Sequence, residues 1–346
     1  AKPIGPQNGA KFNEKSNLYH YEGMYNFSNA FNNVVELQVG GSYRNYFLHS
    51  DGTIFDDATR DIVIDEYGAF AQLGKRMLND KFKLTLAGRY DKSKNFEGLF
   101  TPRVTGVLTV APNNNIRASY QSGYRNPTTQ DQYIDLAVGG GSTRLIGGLP
   151  ELIGGGESGY NLLANKPVTS ASYRAFLASA AIGAPNPALL QEYNLDPKGI
   201  RPESVQSFEL GYKGLLGTNL MIDTYGYYSI YEDFIGGVDL YQNPIPSATA
   251  ATTKFSVPVN LAEQVKSYGA AFGLDYVIGK YNLNGNISYN KIGDLPSDFI
   301  NSFNTPEIRY NLGIGSKEFV KNVGFNVQYR WQDKFMWNST FSSGEV

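Results

Sequence analysis

Between Tyr281 and Asn290 the chain alternates without exception. Tyr281, Leu283, Gly285, Ile287 and Tyr289 fall on one side of an extended segment, and Asn282, Asn284, Asn286, Ser288 and Asn290 fall on the other. A period of two excludes an amphipathic helix, whose apolar positions recur at three and four. The same division returns at Phe82, Leu84, Leu86, Gly88, Tyr90 against Lys83, Thr85, Ala87, Arg89, Asp91, and at Val323, Phe325, Val327, Tyr329, Trp331 against Gly324, Asn326, Gln328, Arg330, Gln332. Val35 to Arg44, Ile116 to Arg125, Phe208 to Lys213 and Lys266 to Tyr276 follow it too. Tyr19 to Phe27, Tyr67 to Met77, Phe100 to Val110, Leu220 to Asp233 and Glu307 to Gly315 follow it more loosely. The fold class is all-β, with about a dozen strands.

A strict apolar/polar dyad suits either a soluble sheet with one face on a core or a barrel wall between lipid and a polar interior. Strand length separates them: segments of about ten residues match a tilted membrane strand, whereas soluble strands centre nearer five or six. Aromatic placement agrees. The chain holds 25 Tyr and 20 Phe, and Tyr43, Tyr90, Tyr124, Tyr276, Tyr289 and Tyr329 sit at or near the ends of apolar faces, where a membrane girdle would be. Leu86, Ile287 and Val327 are then expected to face hydrocarbon. No run approaches the roughly 20 apolar residues of a membrane helix, and residues 1 to 20 lack a signal-peptide layout.

The links between strands discriminate further. They run short at 28–33, long at 48–60, short at 78–80, moderate at 93–99, short at 112–115 and very long at 126–201. Short at 215–218, long at 234–261, short at 278–280, longer at 291–306 and short at 316–322 complete the series. Short and long take turns, as in an up-and-down transmembrane β-barrel with tight turns on one side and large external loops on the other. Pro127, without an N–H, ends the ladder where the strand Ile116 to Arg125 opens the loop 126–201. Both chain ends fall on the long-loop side, so residues 1–346 read as a partial barrel domain inside a larger barrel. A complete barrel of about twelve strands is the alternative.

In that wall the charges Glu36, Arg44, Lys83, Arg89, Asp91, Arg103, Arg117, Arg125, Glu209 and Lys213 must face the interior, since each Arg or Lys at the lipid midplane costs about 2 to 4 kcal/mol. They line a solvated lumen or a seat for a plug. In loop 126–201, "SASYRAFLASAA" (170–181) predicts a short helix capped by Ser170 or Ser172, with Tyr173, Phe176 and Leu177 as a small apolar face. Tyr133, Tyr160, Tyr173 and Tyr193 offer contact area for a solute or partner.

Little else carries chemistry. A net charge of -2 argues against nucleic acid, and zero cysteines exclude disulfides and thiolate sites. His20 and His49 are the only histidines, too little for a triad or a two-histidine metal site, so no enzyme, cofactor or metal is expected. Asp51, Asp56, Asp57 and Asp61 do not have EF-hand spacing and read as a solvated loop. The Gly triplets at 139–141 and 154–156 lack the ending of a phosphate loop and read as flexible.

Three stretches carry a family resemblance: "TPRVTGVLTVAPNNNIRASYQSGYRNPTTQDQY" (101–133), "RPESVQSFELGYKG" (201–214) and "FNTPEIRYNLGIG" (303–315). Together they resemble the C-terminal barrel half of TonB-dependent outer-membrane receptors, over most of residues 60 to 341. In that family a Phe/Tyr-Arg-Asn-Pro-type motif opens a large external loop and a Pro-Glu-x-x-x-x-x-Glu-Leu-Gly-type motif begins the next strand. Here they are Tyr124 to Pro127 and Pro202 to Gly211. The resemblance implies a 22-stranded barrel in the bacterial outer membrane, occluded by an N-terminal plug. It implies inward transport of a scarce solute such as a metal chelate or siderophore, cobalamin, glycan or peptide, energised by a TonB-type coupling protein. No plug domain, energy-coupling box or terminal aromatic strand is found among these residues. A barrel subunit of a larger outer-membrane assembly, with lipoprotein or other subunit partners, is the other reading.

Overall fold

The computed structural model describes residues 12–32, 34–245, 251–301, 303–338 and 343–345. The first half of the chain gives β1 (Asn17–Asn26), β2 (Glu36–Leu48), β3 (Ile62–Met77), β4 (Phe82–Ser93), β5 (Leu99–Ala111), β6 (Asn114–Arg125), β7 (Asp135–Val138), β8 (Thr143–Ile146) and β9 (Val168–Thr169). The second gives β10 (Glu203–Leu216), β11 (Leu220–Glu232), β12 (Phe234–Gln242), β13 (Thr253–Leu261), β14 (Val265–Ile278), β15 (Tyr281–Ile292), β16 (Phe299–Ile300), β17 (Ile308–Val320), β18 (Val323–Gln332), β19 (Met336–Asn338) and β20 (Ser343–Glu345). Helices α1 (Thr129–Tyr133), α2 (Pro150–Ile153) and α3 (Ser170–Ala181) lie between β6 and β10.

Twelve long strands form one antiparallel sheet, the wall, in the order β1-β2-β3-β4-β5-β6-β10-β11-β14-β15-β17-β18. The sheet is open: β1 and β18 are its edges and do not pair with each other. Directly opposed residues share a face, so the ladder registers carry the dyad from strand to strand. One row reads Leu86, Val104, Tyr120, Phe208, Tyr228, Tyr268. Another, on the opposite face, reads Lys83, Val107, Arg117, Gly211, Tyr225, Ala271, Ser288, Arg309, Gln332. Along these rows the phase holds; register shifts occur only near strand ends, between Thr109 and Ala111 and between Ser316 and Val320.

The apolar face is bare. Leu86, Ile287 and Val327 are 41%, 47% and 58% exposed, and no second layer covers them among the described residues. A continuous apolar face of this size in water would drive aggregation; hydrocarbon is the environment that matches it. No helix among the described residues is long and apolar enough to cross a membrane; the wall strands do so instead.

Short links at one end of the wall and long ones at the other follow the alternation seen in the sequence. Gly279 turns β14 into β15 at φ 54, a left-handed conformation that disfavours any side chain. The long links depart from expectation. Loop 126–201 is not structureless: with the links after β11 and after β15 it builds a second sheet in the order β16-β12-β13-β8-β7, with β9 also on β12. The parallel pairing of β8 with β13 joins two links more than a hundred residues apart. The second sheet's strands of two to four residues carry too few dyads to be read from sequence, and its two longer ones, β12 and β13, are interrupted by Gly236-Gly237 and Pro258.

The buried core lies in this outer layer. Phe55, Tyr133, Ile146, Leu149, Leu152, Ile153, Leu162, Phe234, Val238, Leu240, Phe255 and Val257 form one cluster together with Leu48, Ile62, Ile64 and Val265 from the wall-strand ends. The membrane part of the chain therefore has no protein core of its own among the described residues.

Candidate functional site

Every charge expected to face inward stands on the polar face by register, and most are paired there. Lys83 Nζ lies 2.6 Å from Glu36. The Arg89 guanidinium donates to Asp91 from Nε at 2.7 Å and to the Ser42 hydroxyl at 3.0 Å. Their pairing lies over Gly68, where an added Cβ would collide with both side chains. Arg117 spans two carboxylates, Glu209 at 3.0 Å and Asp223 at 3.2 Å, and Lys213 meets Asp223 at 3.2 Å. Arg44 faces Glu66 at 3.8 Å, and Arg125 faces Glu203 at 2.8 Å. Asp223, Glu203 and Glu66 escaped notice in the sequence. Asp223 and Glu66 lie in strands whose alternation is loose, and Glu203 reads there only as part of a motif. Arg103 has no hydrogen-bond or ion-pair partner among the described residues.

Apart from Glu203, which is buried, these groups are partly exposed, so each such pair contributes little to stability. Their effect is to neutralise the wall locally. A cleft of about 380 Å³ opens where the polar face meets the outer layer, lined by Glu22, Ser42, Arg44, Glu66, Arg89 and Asp91 among others. Tyr124 lines it as well, and this corrects its expected place in the aromatic band. The pairing of β6 with β5 ends at Gln121, so the last residues of β6 are held from one side only. Tyr43, Tyr90, Tyr276, Tyr289 and Tyr329 share the apolar face by register.

The tyrosines of loop 126–201 take up mostly structural positions. Tyr133 is 5% exposed, a core residue rather than an open contact, and Asn95 donates to its hydroxyl at 2.9 Å. Burial pushes the Tyr133 and Tyr193 phenols above their ordinary pKa. Tyr160 packs edge-on against Phe255 at 5.2 Å, and Tyr173 stacks on Tyr241 at 4.2 Å. The helix over 170–181 forms as expected, but its cap is Thr169, whose hydroxyl accepts from the Ser172 N–H at 3.2 Å. Phe176 is buried while Leu177 is exposed.

Two of the acidic residues expected to be solvated are buried. Asp57 accepts from the Ser50 hydroxyl at 2.7 Å and the Gly52 N–H at 2.7 Å. Asp56 accepts from the Glu157 N–H at 2.8 Å and from Arg60 at 2.7 Å, and burial raises its pKa. Asp57 closes the 49–61 link on itself, and Asp56 ties it to the larger loop. No group of three or more His, Cys, Asp or Glu suited to a metal occurs among the described residues. At the start of β10, the Lys198 N–H and the Arg201 guanidinium hold the Asp196 carboxyl below the usual carboxylate range. Arg201 also reaches Asp233 at 2.8 Å.

The family model for the TonB dependent receptor-like β-barrel matches residues 4–344. No curated protein matches in sequence. Among solved structures, the FrpB iron transporter of Neisseria meningitidis superposes with a TM-score of 0.55 at 13% identity, covering 87% of this chain and 40% of that one. The siderophore receptor PirA of Pseudomonas aeruginosa gives 0.58 at 12%, covering 92% and 46%. A mutant of the ferric enterobactin receptor PfeA from Pseudomonas aeruginosa gives 0.61 at 12%, covering 92% and 41%. The chain thus spans less than half the length of each of these structures.

Proposed function

The chain belongs to the TonB-dependent receptor β-barrel family, whose members sit in the outer membrane of Gram-negative bacteria, and from that premise we propose that it forms wall and outer loops of a receptor for energised uptake of a scarce solute. Metal chelates are the first class to test, because similar folds include an iron transporter, a siderophore receptor and a ferric enterobactin receptor. The observation that carries the reading is the division of the wall: one face apolar and bare, the other lined with carboxylates and cations that cancel each other. Tyr43, Tyr90, Tyr276, Tyr289 and Tyr329 would anchor the first at the headgroup level. Arg44, Arg89, Arg103, Arg117, Arg125, Glu209 and Lys213 would line the path and seat a plug.

Such a wall suits passage. Paired, hydrated charges present hydrogen-bonding groups at every level without a strong net field to trap an ion. Tyr160, Tyr173 and Tyr193 would meet solute at the outer mouth, with Tyr133 as support beneath. Energy would come from a TonB-type partner engaged through another part of the intact protein. The test is uptake of labelled ferric and cupric chelates by cells with and without this gene, each with and without TonB. Accumulation of at least one chelate should need both, and equal uptake in all four strains would remove the proposal.

A further inference from the structure

The polar face of the wall has two sectors. From β2 to β11 it carries the paired charges described above. From β15 to β18 it carries amides: Asn282, Asn284, Asn286 and Asn290 with Ser288 on β15, Asn311 on β17, and Asn326 and Gln328 on β18. Among the paired residues of that face on β14, β15, β17 and β18, the charges are Asp275, Arg309 and Arg330. Between the sectors runs β14, whose polar side is small: Ser267, Gly269, Ala271 and Gly273. Directly opposite on β11 stand Ser229, Tyr227, Tyr225 and Asp223.

The result is a furrow along β14, with aromatic rings on one bank and amides on the other. The banks are two strand spacings apart, about 9.5 Å, and the floor from Gly269 to Gly273 runs for about 13 Å. The Tyr227 ring lies against Gly269, where an added Cβ would collide with it, and its hydroxyl donates to Asn290 Oδ1 at 3.0 Å. The Arg117 guanidinium sits 5.5 Å from the centre of the Tyr225 ring. On the other bank, Asn311 donates to Asn286 Oδ1 at 2.8 Å and Arg309 to the Ser288 hydroxyl at 3.1 Å. These bonds brace the amide bank from behind, and an amide that accepts one bond still has two donors and a second acceptor site. At its outer end the furrow meets a cleft of about 330 Å³ lined by Asn290, Asn301, Phe303, Asn304, Glu307 and Phe335 among others. Asn290 belongs to both.

We propose that this furrow and cleft bind vicinal hydroxyls on uncharged rings: a neutral saccharide, presented by a free oligosaccharide or by the sugar part of a chelate. A hydroxyl both donates and accepts, as an amide does, and the C–H face of a sugar ring packs on a tyrosine ring. A peptide would need pockets for its side chains, and Gly269, Ala271 and Gly273 leave the floor smooth. The inference rests on the uptake reading only in placing the furrow on the solute's path; binding is measured without transport.

The test is equilibrium binding to the full-length protein in lipid vesicles. The probes are fluorescent neutral oligosaccharides (glucans, mannans, galactans, xylans and fructans), the same set sulfated, and a ferric catecholate with and without attached glucose. At least one neutral oligosaccharide should bind, which assigns a free saccharide, or the glucosylated catecholate should bind on the order of tenfold more tightly than its aglycone, which assigns a chelate. Asn286→Ala, at an exposed position, should weaken that binding about tenfold. Ala271→Trp, which fills the floor, should abolish it. Should Ala271→Trp lose strand content by circular dichroism, Asn286→Ala and Tyr227→Leu decide. The proposal is overturned if no neutral oligosaccharide binds and glucose adds nothing to the catecholate, if the sulfated set binds more tightly than the neutral one, or if Asn286→Ala and Tyr227→Leu leave binding unchanged. Saccharide binding without TonB-dependent uptake upholds this inference while the uptake reading falls, and chelate uptake without saccharide binding does the reverse.

Discussion

Ile287 and Asn286 are neighbours in sequence and opposites in environment, which makes them the sharpest residue-level probe of the wall. Ile287→Arg, near the middle of β15 on the apolar face, should cost about 2 to 4 kcal/mol in a folding titration in lipid vesicles. Asn286→Arg should cost less than about 0.5 kcal/mol, since that face is already polar. Equal costs would mean the faces are not differently solvated. Tyr133 shows where residue-level reading reaches its limit. Its placement in a long loop suggested contact with a solute, yet its ring is core and its hydroxyl is committed to Asn95. Tyr133→Ala should therefore destabilise the outer layer by about 3 to 5 kcal/mol, and Tyr133→Phe by about 1 kcal/mol. Chemical denaturation monitored within the outer layer distinguishes the two.

The legible elements were the strands of the wall. The strand read over Val323 to Gln332 is β18 to the residue, and the strict dyads at 82–91 and 281–290 are most of β4 and β15. β10 was seen only as Phe208 to Lys213 because Ser204 and Gln206 blur the alternation on its apolar side, although it runs Glu203–Leu216. β7, β8 and β9 were missed, being two to four residues long, and β12 and β13, nine residues each but interrupted by Gly236-Gly237 and Pro258, lay in the link read as 234–261. Two substitutions test how elements end. Gly279→Ala has open space around the new methyl but a left-handed φ of 54, so it should cost about 1 kcal/mol. Thr169→Ala should cost α3 about 1 kcal/mol by removing its cap. A smaller loss there than from Ser170→Ala would return the cap to the position that the sequence suggested.

At the scale of the whole molecule, wall and outer layer are stabilised by different media and should fail separately. Phe255→Ala removes the centre of the outer core and should cost that layer about 3 to 5 kcal/mol, while the strand content of the wall by circular dichroism stays that of the parent. Acid should loosen the same layer at one rim. Because the Lys198 N–H and Arg201 lower the folded-state pKa of Asp196, its contribution is complete above the ordinary carboxylate pKa and is lost as pH falls through the lowered value. Hydrogen exchange at 196–201, corrected for intrinsic rates, should rise on acidification in the parent and be flat in Asp196→Asn. The dyad period, the strand length and the alternation of links determined from sequence alone that this chain is a two-faced wall in a membrane, because lipid on one side and polar groups on the other act on every residue locally. Only the tertiary structure decided that the long loops fold inward as one layer around the one large core found among the described residues. That outcome depends on contacts between segments a hundred residues apart, such as β8 with β13, for which no local period leaves a trace.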